Sequence, residues 1–194
     1  MIRALQLIFS PTETWQKIEL ARRGVLWVFF LSLLPLMVLS GLAEGYAMLR
    51  WGERTGELDR QTKIILDLAL RYELAQLVLG LVMLFLGAKF VQWIADGFHL
   101  KINYTACFTA TAYTLSPIFL LRFFDSYPGI NTWVCWGIGV LLAVSVLYHG
   151  VGPVLKPDQT KGFGFFLLLA MFLVLITGLS HFVALAVLDQ KVKF

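Results

Sequence analysis

Lys89, Gln92 and Asp96 have the residue types and spacing closest to a polar working site in this chain: three and then four residues apart, they share one side of a helix. Ionisable groups at membrane depth mark function by default. Lys89 also lies near enough to the end of its apolar run for its ammonium to snorkel to the headgroups, and the sequence favours that plainer reading. The three histidines, His99, His149 and His181, fall in different segments with no HExxH or Cys-x-x-Cys companion, so no metal site is expected. His149 and His181, on adjacent apolar runs, could meet, although a packing histidine bonded to backbone or threonine is the simpler role. Cys107 and Cys135 both lie inside apolar runs and make neither a disulfide framework nor a cluster. Asp125 and Asp158 read as isolated loop residues, and no nucleophile elbow or phosphate loop stands out. The expectation is a protein that is not an enzyme and takes no cofactor.

The elements that must carry these residues follow from composition. Of 194 residues 59% are hydrophobic and 14% charged, the mean hydropathy is +0.78, and an average soluble domain has roughly 25% charged residues. A water-soluble domain is excluded. The net charge of +4 sits in short loops beside apolar runs, as topology charges do, so a nucleic-acid partner is not expected.

The resulting fold class is all-α: a polytopic membrane protein with five transmembrane helices and an N-terminal interfacial amphipathic helix. Residues 1–23 form the interfacial segment. Within it, Ser10, Pro11 and Glu13 have the pattern of a capping box that starts a short helix, whose Trp15 and Ile18 suit the interface plane. No cleavable signal peptide is expected. Residues 24–194 hold spans at about 24–43, 74–95, 104–122, 132–151 and 163–187, each long enough for a hydrocarbon core of about 30 Å. Pro35 should kink the first. The mixed charges from Glu44 to Tyr72 read as the longest extramembrane segment, with an amphipathic helix from Leu58 onward. Gly80 and Gly87 share a face that permits close helix approach, and Pro128 with Gly129 marks a turn.

The third run, Asn103 to Phe124, is apolar yet studded with hydroxyls. Thr105, Thr109, Ala112 and Ser116 form a stripe of small side chains, with Phe108, Leu115 and Ile118 facing elsewhere. Gly139, Ala143, Val146 and Gly150 repeat its four, three, four spacing in the next run, at matching depth across the turn. The two stripes are expected to form a helix-packing seam, because small faces let backbones approach in lipid. Tyr113, off the stripe, is then the residue there freest to meet a ligand or partner.

The order of motifs, with SPTETWQKI first, then five spans, DGFHLKINYTACFTATAYTLSP and LYHGVGPVLKPDQTKGFGF, resembles a prokaryotic member of the Yip1 family of membrane proteins over nearly the whole chain. Ser10, Pro11, Trp15, Tyr113 and Pro117 match the family pattern and read as structural. The resemblance implies five helices with a cytoplasmic N-terminus, and no catalytic residues. Eukaryotic members are associated with vesicle trafficking, Rab GTPase binding and the shaping of Golgi or endoplasmic-reticulum membranes. The expected function is a non-enzymatic integral membrane protein that organises membrane or recruits protein or lipid partners, in a prokaryotic cytoplasmic (inner) membrane. Membrane lipids, a membrane-protein partner or a second copy are its expected contacts. The alternative is a small transporter or channel for an ion or lipid, using a polar groove near Lys89, Gln92 and Asp96. Charge counts on the two sides tie, and only Arg22 and Arg23 beside the first span tilt the N-terminus toward the cytoplasm.

Overall fold

Two prolines shape the spans through the hydrogen bonds they remove. Pro35 has no N–H for the Leu31 carbonyl, and the helix before it widens to a π-turn over Phe29–Leu33, where the Leu34 amide bonds back to Phe29. Pro117 lies inside another helix and frees the Tyr113 carbonyl, which accepts the Ser116 hydroxyl at 2.7 Å instead. The expected kink at Pro35 is therefore a π-bulge.

The computed structural model describes residues 2–55, 60–62, 64–125, 127, 130–157 and 160–189. Leu58, the Pro128–Gly129 turn and Asp158 lie outside them. Two short helices, α1 (Ile2–Phe9) and α2 (Pro11–Ala21), precede the bundle. Five helices long and apolar enough to cross a membrane follow: α3 (Val25–Trp51), α4 (Leu66–Gly97), α5 (Tyr104–Asp125), α6 (Thr132–Leu155) and α7 (Gly162–Leu188). Between α3 and α4 stands an antiparallel hairpin, β1 (Glu53–Thr55) with β2 (Arg60–Thr62), Glu53 opposite Thr62.

Several expected boundaries are corrected. The first span runs on to Trp51, so Glu44 lies within it. A strand occupies Arg60–Thr62 where an amphipathic helix was expected, and the helix begins at Leu66. Beyond the α-helical part of α6, a π-turn continues through Val151–Leu155, past the expected end of the span at about residue 151. A further helix, Ile2–Phe9, precedes the short helix expected from Pro11. The capping box does not form: Ser10 makes no side-chain cap bond, and the Thr14 hydroxyl donates to the Ser10 carbonyl.

Helix α5 is the centre of the bundle, with 61% of its apolar stretch buried against 22–44% for the other spans. Its small and hydroxyl-bearing residues explain this, since they let neighbours close in on every side. Gly139 confirms close approach of α5 and α6: a Cβ there would stand 3.2 Å from the Ile118 Cα. The contact point is Ile118 rather than Ser116, so Ile118 does not face away from α6. Gly80 and Gly87 admit different partners, Met37 of α3 and Thr111 of α5.

Candidate functional site

At the end of the bundle that carries α1 and α2, the sequence places an aromatic anchor and a ring of cations. Trp15, fully buried, inserts its indole against Gly150, where a Cβ would come within 2.5 Å of the ring, and its Nε1 donates to the Val146 carbonyl at 2.8 Å. Tyr113 stands edge-on to that indole, centroids 6.0 Å apart. Gly150 thus seats Trp15 rather than α5. Trp15 and Ile18 turn inward instead of facing headgroups, because a glycine on α6 leaves a slot of indole width.

Beneath α1 and α2 opens a cavity of about 510 Å³, lined by Arg3, Arg22, Arg23, Lys101 and Lys156 as well as apolar residues and Tyr113. Among the described residues Glu19 supplies the one lining carboxylate, and it is ion-paired to Lys156. Arg22 and Lys156 both hold left-handed backbone, φ 39° and 47°, which non-glycine residues seldom adopt. Arg23 stacks its guanidinium over Trp27 at 3.2 Å from the ring centroid. Thr105 and Thr109, predicted to face α6, line this cavity. Ala112 and Val146 share the main core, and Ala143 packs with Val140 and Leu173. Tyr113 is 2% exposed, so it is a wall and core residue rather than the free residue of its helix.

The opposite end holds a buried ionic cluster. Arg122 of α5 donates from Nε to Glu44 Oε2 at 2.7 Å and from Nη2 to Glu73 Oε2 at 2.8 Å. Gln76 donates to the other Glu44 oxygen at 3.2 Å. Gly41 and Gly45 of α3 let α4 approach: a Cβ at Gly41 would stand 2.7 Å from Glu73 Oε2. Asp125 accepts the Thr132 hydroxyl at 2.7 Å. Glu44, Glu73 and Arg122 were not singled out in sequence. The signal that could have found them is Gly41-x-x-x-Gly45 enclosing Glu44, which calls for an unusual neighbour.

The predicted polar site is dispersed. Lys89 donates to Gln92 at 2.9 Å, Gln92 donates to the Ile102 carbonyl at 3.3 Å, and Lys89 and Asp96 are exposed on the outer side of α4. His149 Nδ1 lies 2.8 Å from the Ser145 carbonyl near the α1 end. His181 lies toward the other end, stacked on Trp136 and edge-on to Trp133. Adjacent helices carry the two histidines, but at opposite depths, so they do not meet. Thr177 bonds its own helix at Leu173. Among the described residues no group of three or more His, Cys, Asp or Glu is placed to hold a metal ion.

The geometry gathers cations around a cavity at one end and pairs one guanidinium with two carboxylates at the other. No curated protein and no solved structure matches the chain. The Yip1 domain family model matches residues 5–180, from within α1 to within α7. Five membrane-spanning helices over that same stretch agree with it, and the chain belongs to the Yip1 family of integral membrane proteins.

Proposed function

We propose that this protein is a non-enzymatic membrane organiser whose N-terminal helices occupy one leaflet beside the five-span bundle and recruit lipid or protein partners there. The observation that carries this reading is the two-sided character of α1 and α2. Ala4, Leu7, Trp15 and Ile18 are buried on the bundle, while Ile2, Phe9 and Leu20 remain 75–82% exposed. Exposed apolar side chains on short helices next to spans belong in the acyl boundary. Helices locked to the bundle by Trp15 then widen its cross-section in one leaflet only, which favours curved membrane. Placement of the N-terminus in the cytoplasm of a prokaryotic cell is part of this reading and rests on Arg22 and Arg23, directly before the first span. The ion or lipid pathway near Lys89 gains no support, since Lys89 is bonded to Gln92 on the outer surface.

Reconstitution of the full chain into liposomes, with vesicle diameter read by cryo-electron microscopy, tests the proposal. Wild-type protein should yield smaller or tubulated vesicles, and the triple variant Ile2→Ser, Leu5→Ser, Phe9→Ser should restore the protein-free size distribution. Identical distributions with and without wild-type protein would refute it.

A further inference from the structure

We propose that the cavity under α1 and α2 binds the phosphate of an anionic membrane phospholipid, with Arg3, Arg22 and Lys101 as the receiving cations. Its volume of about 510 Å³ lies inside the range of about 300–1,000 Å³ common to ligand pockets. Five cations face one carboxylate in its lining, and that carboxylate is held by Lys156. Arg3, Arg22 and Lys101 have no ion-pair partner among the described residues. Arg3 also buries its Nη1 without a hydrogen-bond acceptor among the described residues. Buried donors are nearly always matched in folded proteins, so this one points to an acceptor that arrives with a ligand.

The rest of the lining fits the same ligand. The cavity reaches the start of α5, with Asn103, Thr105 and Ala106 in its wall. The Ala106 amide is capped by Asn103 Oδ1, and the positive end of the helix adds to the field felt by an anion. Val28, Val154 and Leu155 give the lining an apolar part that suits glycerol and the first acyl carbons. The membrane, rather than bulk water, is the source because Leu20, next in the chain to Glu19, and Leu26, between Arg23 and Val28, are apolar residues 80% and 71% exposed beside lining positions, surface that belongs in the acyl region. Membrane embedding is all this inference takes from the family assignment, and failure of the vesicle-curvature test would leave it standing.

Full-length protein in phosphatidylcholine nanodiscs carrying tracer phosphatidylglycerol provides the test, read as tracer retained per protein by native mass spectrometry. Wild-type protein should enrich the tracer. Arg3→Gln with Lys101→Gln should lower the enrichment about tenfold or more, given that each cation near a surface contributes appreciably to anionic-lipid binding. Lys17→Gln with Lys161→Gln removes equal charge outside the cavity lining and should leave enrichment intact. Equal loss in both double variants would mean diffuse attraction and overturn the proposal, as would no loss in either. Displacement of the tracer by millimolar inorganic phosphate would assign the site to a soluble phosphate species and overturn the lipid assignment. Should the Arg3 variant fail to fold, Arg22→Gln alone, on an exposed side chain at the end of α2, should lower enrichment about fivefold, and no more loss than Lys17→Gln alone would overturn the proposal.

Discussion

Replacing Arg122 with methionine isolates what holds the far end of the bundle together. The guanidinium serves Glu44 through Nε at 2.7 Å and Glu73 through Nη2 at 2.8 Å. Glu44 has 2% of its side chain exposed and Glu73 has 18%. After Arg122→Met, Glu44 retains only the Gln76 amide at 3.2 Å among these contacts, while Glu73 keeps some access to solvent. Removing one partner of a buried pair costs about 3–5 kcal/mol, because an uncompensated charge stays behind. The partial exposure of Glu73 places the expected loss toward the lower half of that range. The double variant Glu44→Gln with Arg122→Met removes the stranded charge on α3 and leaves only the partly exposed Glu73 without its guanidinium, so it should recover about 2 kcal/mol of the loss, since replacing a whole buried pair is often close to neutral. Mixed-micelle denaturation followed by circular dichroism measures both. An Arg122→Met variant within about 1 kcal/mol of wild type would refute the reasoning, because that is the range of a surface pair. A double variant that loses more than the single one would refute it as well.

Three further substitutions test the close approaches. Gly139→Leu must push against the Ile118 backbone, 3.2 Å from any Cβ, and Ala112→Leu must enlarge a 1% exposed core position; each should lower stability by about 1–3 kcal/mol, and unchanged detergent melting in both would dismiss the seam. Gly150→Ala brings a methyl within 2.6 Å of two indole carbons of Trp15, so hydrogen exchange of the α2 amides should accelerate by about tenfold or more as the helix undocks. Unaltered exchange would show that α2 is held by something other than that slot.

How much of this was legible in the sequence depends on how each residue is satisfied. The five spans were, because each rests on apolar content summed over about 20 residues, which no single contact can reverse. Gly139 was legible because a repeating face of small residues lets helices approach closely in lipid, although Gly150 on the same face seats Trp15 instead. Glu44 was not, since a carboxylate after an apolar run reads as the run's end. Its burial is made possible by Arg122, 78 residues away, and by Gln76, partners that no local pattern reveals. The same error cut α3 short at Ala43, assigned its last turns to a loop, and drew attention to Lys89 and Asp96, whose spacing was real but whose helix face turns outward. Trp15 shows the converse. An aromatic beside basic residues at a span's start reads as an interface anchor, and only the slot at Gly150, across 131 residues from Val146 to Trp15, turns it inward. With the tryptophan inside, the basic residues around it lose the flat surface they seemed to decorate and become the walls of a cavity. Charge near the membrane therefore divides here by pairing. Arg122 is matched within the bundle and holds helices together, whereas Arg3, Arg22 and Lys101 are left to meet something that comes from outside it.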